Sequence, residues 1–595
     1  MRFRAKTSRD NAQQDSGPVE EESTTPLPPR EGDLETMGFS PLPESTQWAE
    51  AHCRGKAPHP SPLPGGEGVR RYALLRCGAA LAGGLLAPHA LAPTDAAWLV
   101  FLASVPFWAA LEGVAGVGGA ILIGLCYAYP SFWFGLQFLG KLGALPLGAL
   151  ALFESLFVVG AAVLYHLLSR PLQPRLRPLV AASAWVLADW ARENAGGLGL
   201  KFTNAGLALD RVPALIQCAD VGGLHLVTWL IALACAALAL AGIEIARRDW
   251  HAASRILALP AALWVLNVGY GLLRLAPPEE GRALRVAIVQ PAKLMPAFYS
   301  DDVRPFPLPD EVRLYRELLA NAGVERADLI MLPESGLSAD LVSGDWKRSQ
   351  ASELARPYGA YLATGCHHLR GTLEYNGVAL IDPDGKLRGT YDKRHLVAFG
   401  EYLPFRQQLA WLYRSYPIRP RDVMPGTSLK PFTIGDARLA PVVCFESVFG
   451  GEVRRSARVG VDCIAIFTND GWFDSAQEAR QHAREAVFRA IEHRLPVLRA
   501  ASTGYSGLID SRGRWVAVAA RDESKAMLVD AKLRPPRSLY HLLGSAAVVV
   551  PCAVVLVLPP VVRRWRRPSG RSAPGLQEHC TGDSRMTHSE HGNAP

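Results

Sequence analysis

The feature that most constrains the fold of this chain is a succession of long apolar runs between residues 72 and 275. A helix needs about 20 mainly apolar residues to cross the hydrocarbon core of a bilayer. Several of the runs reach that length, and most lack the polar face that a surface helix of a soluble protein carries. The sequence therefore predicts a multi-pass α-helical membrane bundle rather than a soluble helical domain. The predicted spans lie near 72–91, 96–111, 114–139, 143–168, 178–195, 217–245 and 256–275.

Three carboxylates lie in or beside these runs. An ionised side chain inside a bilayer is costly, so such residues are candidates for function. Asp189 and Asp220 fall close to the ends of their runs, and we expect them to be span-end residues. Glu154 lies well inside the fourth run. It is therefore the carboxylate of the three that most needs a test.

Clusters of arginine predict the orientation of the bundle, because an excess of Lys and Arg marks cytoplasmic loops. With the N-terminus inside, seven crossings over residues 71–276 place the next segment outside, and an eighth apolar run at 541–563 returns the chain to the cytoplasm. All four clusters then lie on the cytoplasmic side, which supports eight spans. The clusters are Arg70 and Arg71; Arg170, Arg175 and Arg177; Arg247, Arg248 and Arg255; and Arg563, Arg564, Arg566 and Arg567.

Composition excludes several other classes of protein. With 49% hydrophobic and 20% charged residues, the chain is not disordered as a whole. Its net charge of +8 does not indicate nucleic-acid binding, because the basic clusters flank apolar runs. The ten cysteines contain no C-x-x-C pair, which argues against a disulfide scaffold and a zinc ribbon. Only the two ends, 1–70 and 564–595, are polar enough to predict disordered tails.

Residues 277–540 show a different pattern, in which short apolar runs alternate with helical stretches at 310–323 and 478–493. Continuous apolar runs of this length are typical of strands that are buried on both faces. The sequence therefore predicts one large α/β domain between the seventh and eighth spans. The predicted strands are “RVAIVQ” (285–290), “ADLIMLPES” (327–335), “AYLATGC” (360–366), “NGVALIDPDG” (376–385), “LAPVVCFES” (439–447) and “VDCIAIFTND” (461–470).

Reactive side chains follow three of the predicted strands, where active residues of α/β proteins collect. They are Glu334, Lys393 and Cys444. A cysteine at such a place can act as a nucleophile, with a lysine to stabilise negative charge and a carboxylate to take the thiol proton. Each residue also has an ordinary structural interpretation: a buried small hydrophobe, a solvated loop lysine and a carboxylate at a helix N-terminus.

The strings around these residues are more specific than the residues alone. “LPES”, “YDKRHLVAFGEYLPF”, “PVVCFES” and “FTNDGWF” resemble the carbon–nitrogen hydrolase (nitrilase) superfamily, whose triad is Glu-Lys-Cys in that order. Together with “YNGVALIDPDGK” and “FRAIEHRLPVLRAASTGYSGLID”, they resemble its membrane-bound branch, the apolipoprotein N-acyltransferases. The resemblance runs from about residue 72 to 565 and is strongest over 284–530.

The resemblance implies a fold and a set of site residues. The fold is a multi-pass α-helical membrane bundle plus an α/β nitrilase-like domain of the four-layer α-β-β-α sandwich type. Cys444 is the implied nucleophile and acyl carrier, Glu334 the general base and acid, and Lys393 the group that stabilises the tetrahedral intermediate. Glu401 and Glu446 match two further acidic residues near the family's active site.

The resemblance also implies a reaction and a place in the cell. A fatty acyl group passes from a membrane glycerophospholipid to the N-terminal α-amino group of diacylglyceryl-cysteine in an apolipoprotein, by ping-pong catalysis through a cysteine thioester. The expected partners are the phospholipid donor and the apolipoprotein acceptor, with no nucleic acid, no metal and no cofactor. The expected protein is a monomer in the bacterial inner membrane, with its catalytic domain on the periplasmic side.

The sequence departs from the family pattern at several places, which puts donor and acceptor preference in question more than the chemistry. Phe445 stands where Tyr is usual, Leu332 where Trp is frequent and Ala398 where Pro is usual. A loop rich in aromatic residues and Pro is replaced by “ENAGGLGLKFTNAGLALDRVP” (193–213). We expect Trp411, Leu412 and Tyr413 either to line a lid or pocket or to pack in the ordinary way.

The sequence leaves two other functions open. A membrane-tethered amidase, or an acyltransferase with another amine acceptor, would use the same triad. A non-catalytic membrane scaffold is disfavoured by the presence of all three triad residues. A metal site at Cys366, His367 and His368 is not expected, because no second cluster stands at ligand spacing. We expect His395, beside the lysine, to be a structural residue.

Overall fold

A computed structural model of the chain describes residues 67–196, 199–292, 307–408, 422–472 and 474–566. The predicted tails, 1–70 and 564–595, lie outside the described residues except at 67–70 and 564–566. Those two stretches are helical. The three lid or pocket candidates, Trp411, Leu412 and Tyr413, also lie outside the described residues.

The N-terminal part of the described chain is helical. Five of its helices are long and apolar enough to cross a membrane, by length and composition: Arg70–Ala90, Val117–Gly135, Ala144–Ser169, Ala219–Ala246 and Trp250–Leu275. The apolar segments Ala97–Leu111 and Ala546–Leu558 are shorter. The helices are α1 (Glu67–Leu86), α2 (Val105–Leu111), α3 (Val117–Gly135), α4 (Ala144–Ser169), α5 (Arg177–Glu193), α6 (Pro213–Ile216), α7 (Ala219–Ala246) and α8 (Trp250–Leu275).

The outward faces of these helices carry large apolar side chains that no other described residue covers. Leu145, Val265 and Leu273 are each more than 70% exposed. A water-soluble helical domain would place polar residues there, whereas lipid chains solvate apolar side chains without cost. This arrangement favours the membrane bundle over the soluble alternative.

The C-terminal part contains two six-stranded sheets. The first has the order β12-β1-β2-β3-β4-β5 and the second the order β11-β10-β9-β8-β7-β6, and each sheet combines parallel and antiparallel pairs. The strands are β1 (Arg282–Gln290), β2 (Leu329–Met331), β3 (Tyr361–Arg370), β4 (Leu373–Ile381), β5 (Leu387–Asp392), β6 (Phe432–Ile434), β7 (Ala437–Val443), β8 (Cys463–Thr468), β9 (Val497–Ala501), β10 (Ser506–Ile509), β11 (Trp515–Ala519) and β12 (Lys525–Leu533).

Side-chain alternation along the strands builds three hydrophobic layers. Val286 and Ile288 of the first sheet pack with Phe467 of the second, so the two sheets face each other. The intervening Ala287 packs on the other side, against the helices that cover the first sheet. Ile466 packs against the helices over the second sheet. The helices of this part and the last apolar helix are α9 (Leu308–Asn321), α10 (Asp345–Ser352), α11 (Gly450–Ala457), α12 (Ala476–His493), α13 (Leu539–Leu543) and α14 (Ala546–Arg566).

This arrangement is the predicted four-layer α-β-β-α sandwich joined to a helical bundle. Every strand predicted from the sequence overlaps a strand of the structure, and the helices predicted at 310–323 and 478–493 overlap α9 and α12. The sequence missed β5, β6 and β9 to β12, which are short or lie at sheet edges.

Helix α12 belongs to both parts of the molecule. It covers the second sheet, and the same hydrophobic core continues into the bundle. Arg494, directly after α12, pairs with Asp220 at the start of α7 at 2.6 Å, and Arg484 pairs with Asp210 at 3.1 Å. Asp220 thus lies at the end of its helix, as expected. It is buried and pairs with Arg494, which lies outside the bundle.

Gly223 interrupts α7 and creates a further contact with α12. Its φ of +68° is a left-handed conformation that glycine adopts without a steric penalty. A Cβ at this position would lie 2.5 Å from the ring of Tyr540. The break frees the amide of Leu224, which donates to Glu492 Oε1 at 3.0 Å. The C-terminal part is therefore docked onto the bundle by directed polar contacts as well as by apolar packing.

We predict that Arg494→Met lowers the stability of the protein strongly. The change leaves Asp220 and Gln217 buried without the guanidinium that contacts both. Arg274 still pairs with Asp220 at 2.9 Å, so we expect a cost of about 3 kcal/mol, the lower end of the range for breaking a buried pair. Arg247→Met is the matched control, because Arg247 is mostly exposed and pairs only with Glu244 of its own helix among the described residues. The measurement is the thermal unfolding midpoint of both variants in detergent. Equal midpoints would contradict the docking role of Arg494.

Candidate active site

The structure brings the three predicted residues together between the two sheets. Glu334 follows β2 and Lys393 follows β5, both in the first sheet, and Cys444 follows β7 in the second. Lys393 Nζ lies 3.6 Å from Glu334 Oε1, and the charges of both residues act on the Cys444 thiol. Glu334 and Lys393 are almost fully buried, whereas Cys444 is partly exposed. Cys444 is thus the least buried residue of the three.

Lys393 lies between two carboxylates. Its Nζ is 2.9 Å from Glu401 Oε2 and 3.0 Å from Glu401 Oε1, closer than it is to Glu334. Burial alone would lower the pKa of this ammonium group, but Glu401 and Glu334 outweigh burial and raise the pKa above its ordinary value. Lys393 therefore stays positively charged at neutral pH and can stabilise a developing oxyanion.

Asn376 of β4 is a site residue that sequence reasoning did not single out. Its Nδ2 donates to Glu334 Oε1 at 2.7 Å and to Glu401 Oε1 at 2.8 Å. It therefore holds the two carboxylates that contact Lys393. Its place at the start of the predicted strand 376–385, within the family-like string “YNGVALIDPDGK”, was the available signal.

The second oxygen of Glu334 is also held. Oε2 accepts a hydrogen bond from the backbone amide of Asn469 at 2.9 Å, in the loop after β8. One oxygen is thus bound to the first sheet through Asn376 and the other to the second sheet. The carboxylate is fixed between the sheets, as a proton acceptor beside a thiol must be.

Glu446 contacts the main chain next to Lys393 and Cys444 rather than the reacting side chains. It contacts none of Glu334, Lys393 and the thiol among the contacts of the described residues. Its oxygens accept from the backbone amides of Val443 at 2.8 Å and Arg394 at 2.7 Å. Glu446 thus ties the loop that carries the lysine to the strand that carries the cysteine. Burial raises the pKa of Glu446, and the hydrogen bonds from backbone amides oppose that rise.

The backbone of Cys444 is strained. Its φ of +50° is a left-handed conformation that non-glycine residues adopt rarely, and such strain concentrates at functional sites. Burial and the Glu334 carboxylate raise the pKa of the thiol well above its ordinary value, and the Lys393 ammonium opposes this only in part. At neutral pH the group is therefore a thiol, which needs a base at the moment of attack.

The bundle contributes an aromatic wall beside the cysteine. Phe202, in the segment between α5 and α6, stacks on Phe445 with ring centroids 5.9 Å apart, and Phe138 packs edge-on against Phe202 at 5.3 Å. All three rings are less than 10% exposed. Phe445, which stands where the resembled family usually has a tyrosine, packs against the helical bundle through Phe202.

Buried ion pairs hold the segment that carries Phe202. Arg192 pairs with Asp189 at 2.6 Å and with Glu154 at 3.2 Å, and it donates to the carbonyl of Leu200 at 2.9 Å. Glu154 is fully buried and accepts from the amide of Leu200. Glu154 is therefore paired with Arg192. Its hydrogen bond with Leu200 places it next to the segment that carries Phe202.

His367 and His368, which were not expected to bind a metal, each pair with a different carboxylate. His367 lies 3.0 Å from Glu374 and His368 lies 2.7 Å from Asp392, so the two histidines do not converge with Cys366 on one point. A different group, Asp470, Glu478 and His482, has metal-ligand spacing. The guanidinium of Arg499 lies 2.9 Å from Asp470 and already supplies positive charge to this group.

Comparisons with known proteins define the class of the molecule. The carbon-nitrogen hydrolase family matches residues 285–536, and the N-terminal domain of apolipoprotein N-acyltransferase matches residues 83–237. The molecule is thus a carbon–nitrogen hydrolase domain joined to a helical membrane domain. Among solved structures, a nitrilase-superfamily amidase from Nesterenkonia covers 49% of this chain and 99% of its own, at 18% identity and a TM-score of 0.32.

Relatives over most of the length are more specific. The apolipoprotein N-acyltransferase of Geobacter metallireducens is 30% identical over 70% of this chain and 81% of its own. That of Allorhizobium ampelinum is 32% identical over 73% of this chain and 86% of its own. The chain belongs to the apolipoprotein N-acyltransferase family.

We predict that alkylation of Cys444 by iodoacetamide keeps accelerating above pH 9. The raised pKa leaves a smaller thiolate fraction at neutral pH than a free cysteine has, with an ordinary pKa of about 8.5. The measurement is the alkylation rate of Cys444 against pH, followed by peptide mass spectrometry. The same cysteine in denatured protein is the control and should react faster at pH 8. A rate that levels off below pH 8 in the native protein would contradict the raised pKa.

Proposed function

We propose that the protein transfers a fatty acyl group from a membrane glycerophospholipid to the N-terminal α-amino group of diacylglyceryl-cysteine in apolipoproteins. The observation that carries the proposal is Cys444, with Glu334 and Lys393 beside it, in a domain attached to a membrane bundle of this family. Lipid and lipoprotein substrates and membrane association follow from the family.

In the first half-reaction Glu334 accepts the proton of the Cys444 thiol as sulfur attacks the ester carbonyl of the donor. The tetrahedral oxyanion forms near the Lys393 ammonium, which stabilises it. The C–O bond then breaks, Glu334 returns the proton to the leaving alkoxide, and a lysophospholipid departs. The product on the enzyme is a thioester at Cys444.

In the second half-reaction the α-amine of the acceptor attacks the thioester carbonyl. Glu334 takes a proton from the attacking nitrogen, and Lys393 again faces the oxyanion. The C–S bond breaks, the proton passes to sulfur, and an amide is released with the thiol regenerated. Both half-reactions therefore use the same base and the same cation.

The surroundings of Cys444 favour transfer over hydrolysis. A long acyl donor is held in the bilayer by about 0.8 kcal/mol per methylene, so the site must lie at the membrane. Phe202, Phe138 and Phe445 form an apolar wall that can keep water from a thioester. A membrane-tethered amidase, or an acyltransferase with another amine acceptor, is the alternative that shares the same triad.

We further propose that the enzyme lies in the bacterial inner membrane with the catalytic domain in the periplasm and that it acts as a monomer. Helix α12 contacts Asp95, which follows α1, and Arg494 after it contacts Asp220 at the start of α7, whereas Arg70 lies near the start of α1 and Arg247 follows α7. One chain supplies every group of the proposed mechanism, so the chemistry needs no second copy.

We predict that Cys444→Ala abolishes transfer and that Cys444→Ser is nearly as poor, since a hydroxyl ionises far less readily than a thiol. Glu334→Gln should lose the acylation step by about 100-fold or more, because the base is removed while Asn376 keeps a partner. The measurement is the mass of a diacylated lipopeptide after incubation with enzyme and phospholipid. Turnover by Cys444→Ala would disprove the nucleophile assignment, and release of free fatty acid alone would favour the hydrolase.

We predict that a reporter fused after residue 276 reports a periplasmic location. The expectation follows from seven crossings and from the arginine clusters at the opposite end. Alkaline phosphatase, which is active only outside the cytoplasm, and green fluorescent protein, which is fluorescent only inside, form a matched pair of reporters. A fluorescent, phosphatase-negative fusion would contradict the eight-span topology.

A further inference from the structure

Two buried polar residues near Cys444, His482 and Asp470, have no role in the mechanism above. His482 of α12 and Asp470 of the loop after β8 are each at most 2% exposed. We infer that His482, held by Asp470, is a positioning residue that fixes the backbone carbonyl of the nucleophile Cys444. The inference rests on the proposed function, since it assigns a role within the same reaction.

The two ring nitrogens of His482 face different partners. Nδ1 lies 3.0 Å from Asp470 Oδ1, and Nε2 lies 3.1 Å from the carbonyl oxygen of Cys444. Nε2 also lies 2.9 Å from Ser447 Oγ, which donates to the same carbonyl at 2.8 Å. The imidazole thus bridges a buried carboxylate and the main chain of the nucleophile.

These contacts determine what the ring must donate. A carbonyl oxygen only accepts, so the contact with Cys444 is a hydrogen bond when Nε2 carries a proton. A carboxylate also only accepts, so the contact with Asp470 is a hydrogen bond when Nδ1 carries a proton. In these two bonds the ring donates to Asp470 and to Cys444, and the Ser447 hydroxyl donates to the same carbonyl.

Asp470 is itself fixed. It accepts from Thr468 Oγ1 at 2.9 Å and pairs with Arg499 at 2.9 Å. Burial acts to raise the pKa of Asp470, but Arg499 and His482 outweigh burial and hold the pKa well below its ordinary value. Glu478 is the other carboxylate that faces the ring, with Oε1 3.6 Å from Nδ1. Asp470 therefore stays an anion against which the imidazole is oriented.

The backbone of Cys444 is strained, so a hydrogen bond that fixes its carbonyl helps to hold its conformation. Its left-handed φ of +50° is costly for a residue with a side chain. Loss of the bond from His482 would allow the peptide to relax and move the sulfur away from Glu334.

The same helix connects this support to the membrane bundle. His482 lies on α12, which is docked by Arg484 to Asp210 and is followed by Arg494, which pairs with Asp220. The ring of Phe202 packs edge-on against His482 with centroids 6.3 Å apart. The position of the nucleophile thus depends on contacts that only the complete chain makes.

The test compares His482→Gln with His482→Asn in the full-length protein. The amide nitrogen of Gln can reach the place of Nε2 and donate to Cys444, whereas that of Asn reaches only the place of Nδ1. We expect the rate of acyl-enzyme formation from phospholipid to fall about 10- to 100-fold with Asn and to stay within about fivefold of wild type with Gln. The KM for phospholipid should not change in either variant.

The controls are His493→Gln and His493→Asn. His493 is buried on the same helix and contacts His541 rather than Cys444, so its two variants should acylate at equal rates. Equal rates for the two His482 variants, slow or fast, would overturn the positioning role. If His482→Asn does not fold, Ser447→Ala in the His482→Gln background removes the other donor to the carbonyl. That double variant should then be at least about tenfold slower than His482→Gln alone, and an equal rate would overturn the inference.

Failure of the inference and failure of the proposed function give different results. A wild-type protein that forms no acyl-enzyme contradicts the proposed function itself. A wild-type protein that forms it, with His482→Asn equally fast, contradicts only the role of His482.

Discussion

The buried ammonium group of Lys393 is the constraint on which the rest of the site depends. A charge removed from water must be paired and hydrogen-bonded, and Glu401 and Glu334 meet that need. Asn376 spaces the two carboxylates, so one of them stays close to the lysine while the other is also available to the thiol. The raised thiol pKa follows from the same arrangement, because Cys444 shares its surroundings with a carboxylate and lies largely out of water. The site thus combines a neutral thiol, a glutamate and a cationic lysine in fixed positions.

The membrane bundle is part of this site rather than an anchor alone. Its segment around Phe202 contacts Phe445, the residue next to Cys444, and is held by the pair of Glu154 and Arg192. On the other side, Arg494, directly after α12, pairs with Asp220 of the bundle, and His482 of α12 contacts the carbonyl oxygen of Cys444. A reaction whose donor stays in the bilayer needs a site built across the boundary between the two parts, and the contacts of the described residues provide one.

Sequence reasoning went furthest where local pattern determines structure. Continuous apolar runs predicted β1, β3, β7 and β8, and strand ends directed attention to the residues that now lie together. It did less well where partners are distant in the chain, because nothing in a local pattern pairs Glu154 with Arg192 or Asp220 with Arg494. No role was predicted for Asn376 or His482 for the same reason, because each contacts groups that lie on another element of the fold. Short edge strands such as β11 carry too few residues to show a period.

The measurement that tests the central role of Cys444 most directly is the intact mass of the purified protein after incubation with phospholipid and no acceptor. We predict an increment of one fatty acyl group, removed by hydroxylamine, absent in Cys444→Ala, and discharged when a diacylated lipopeptide is added. An adduct that discharges only to water would contradict the transfer reaction. Folded protein in detergent that gains no mass at all would contradict the thioester, and with it the assignment of Cys444 as the nucleophile.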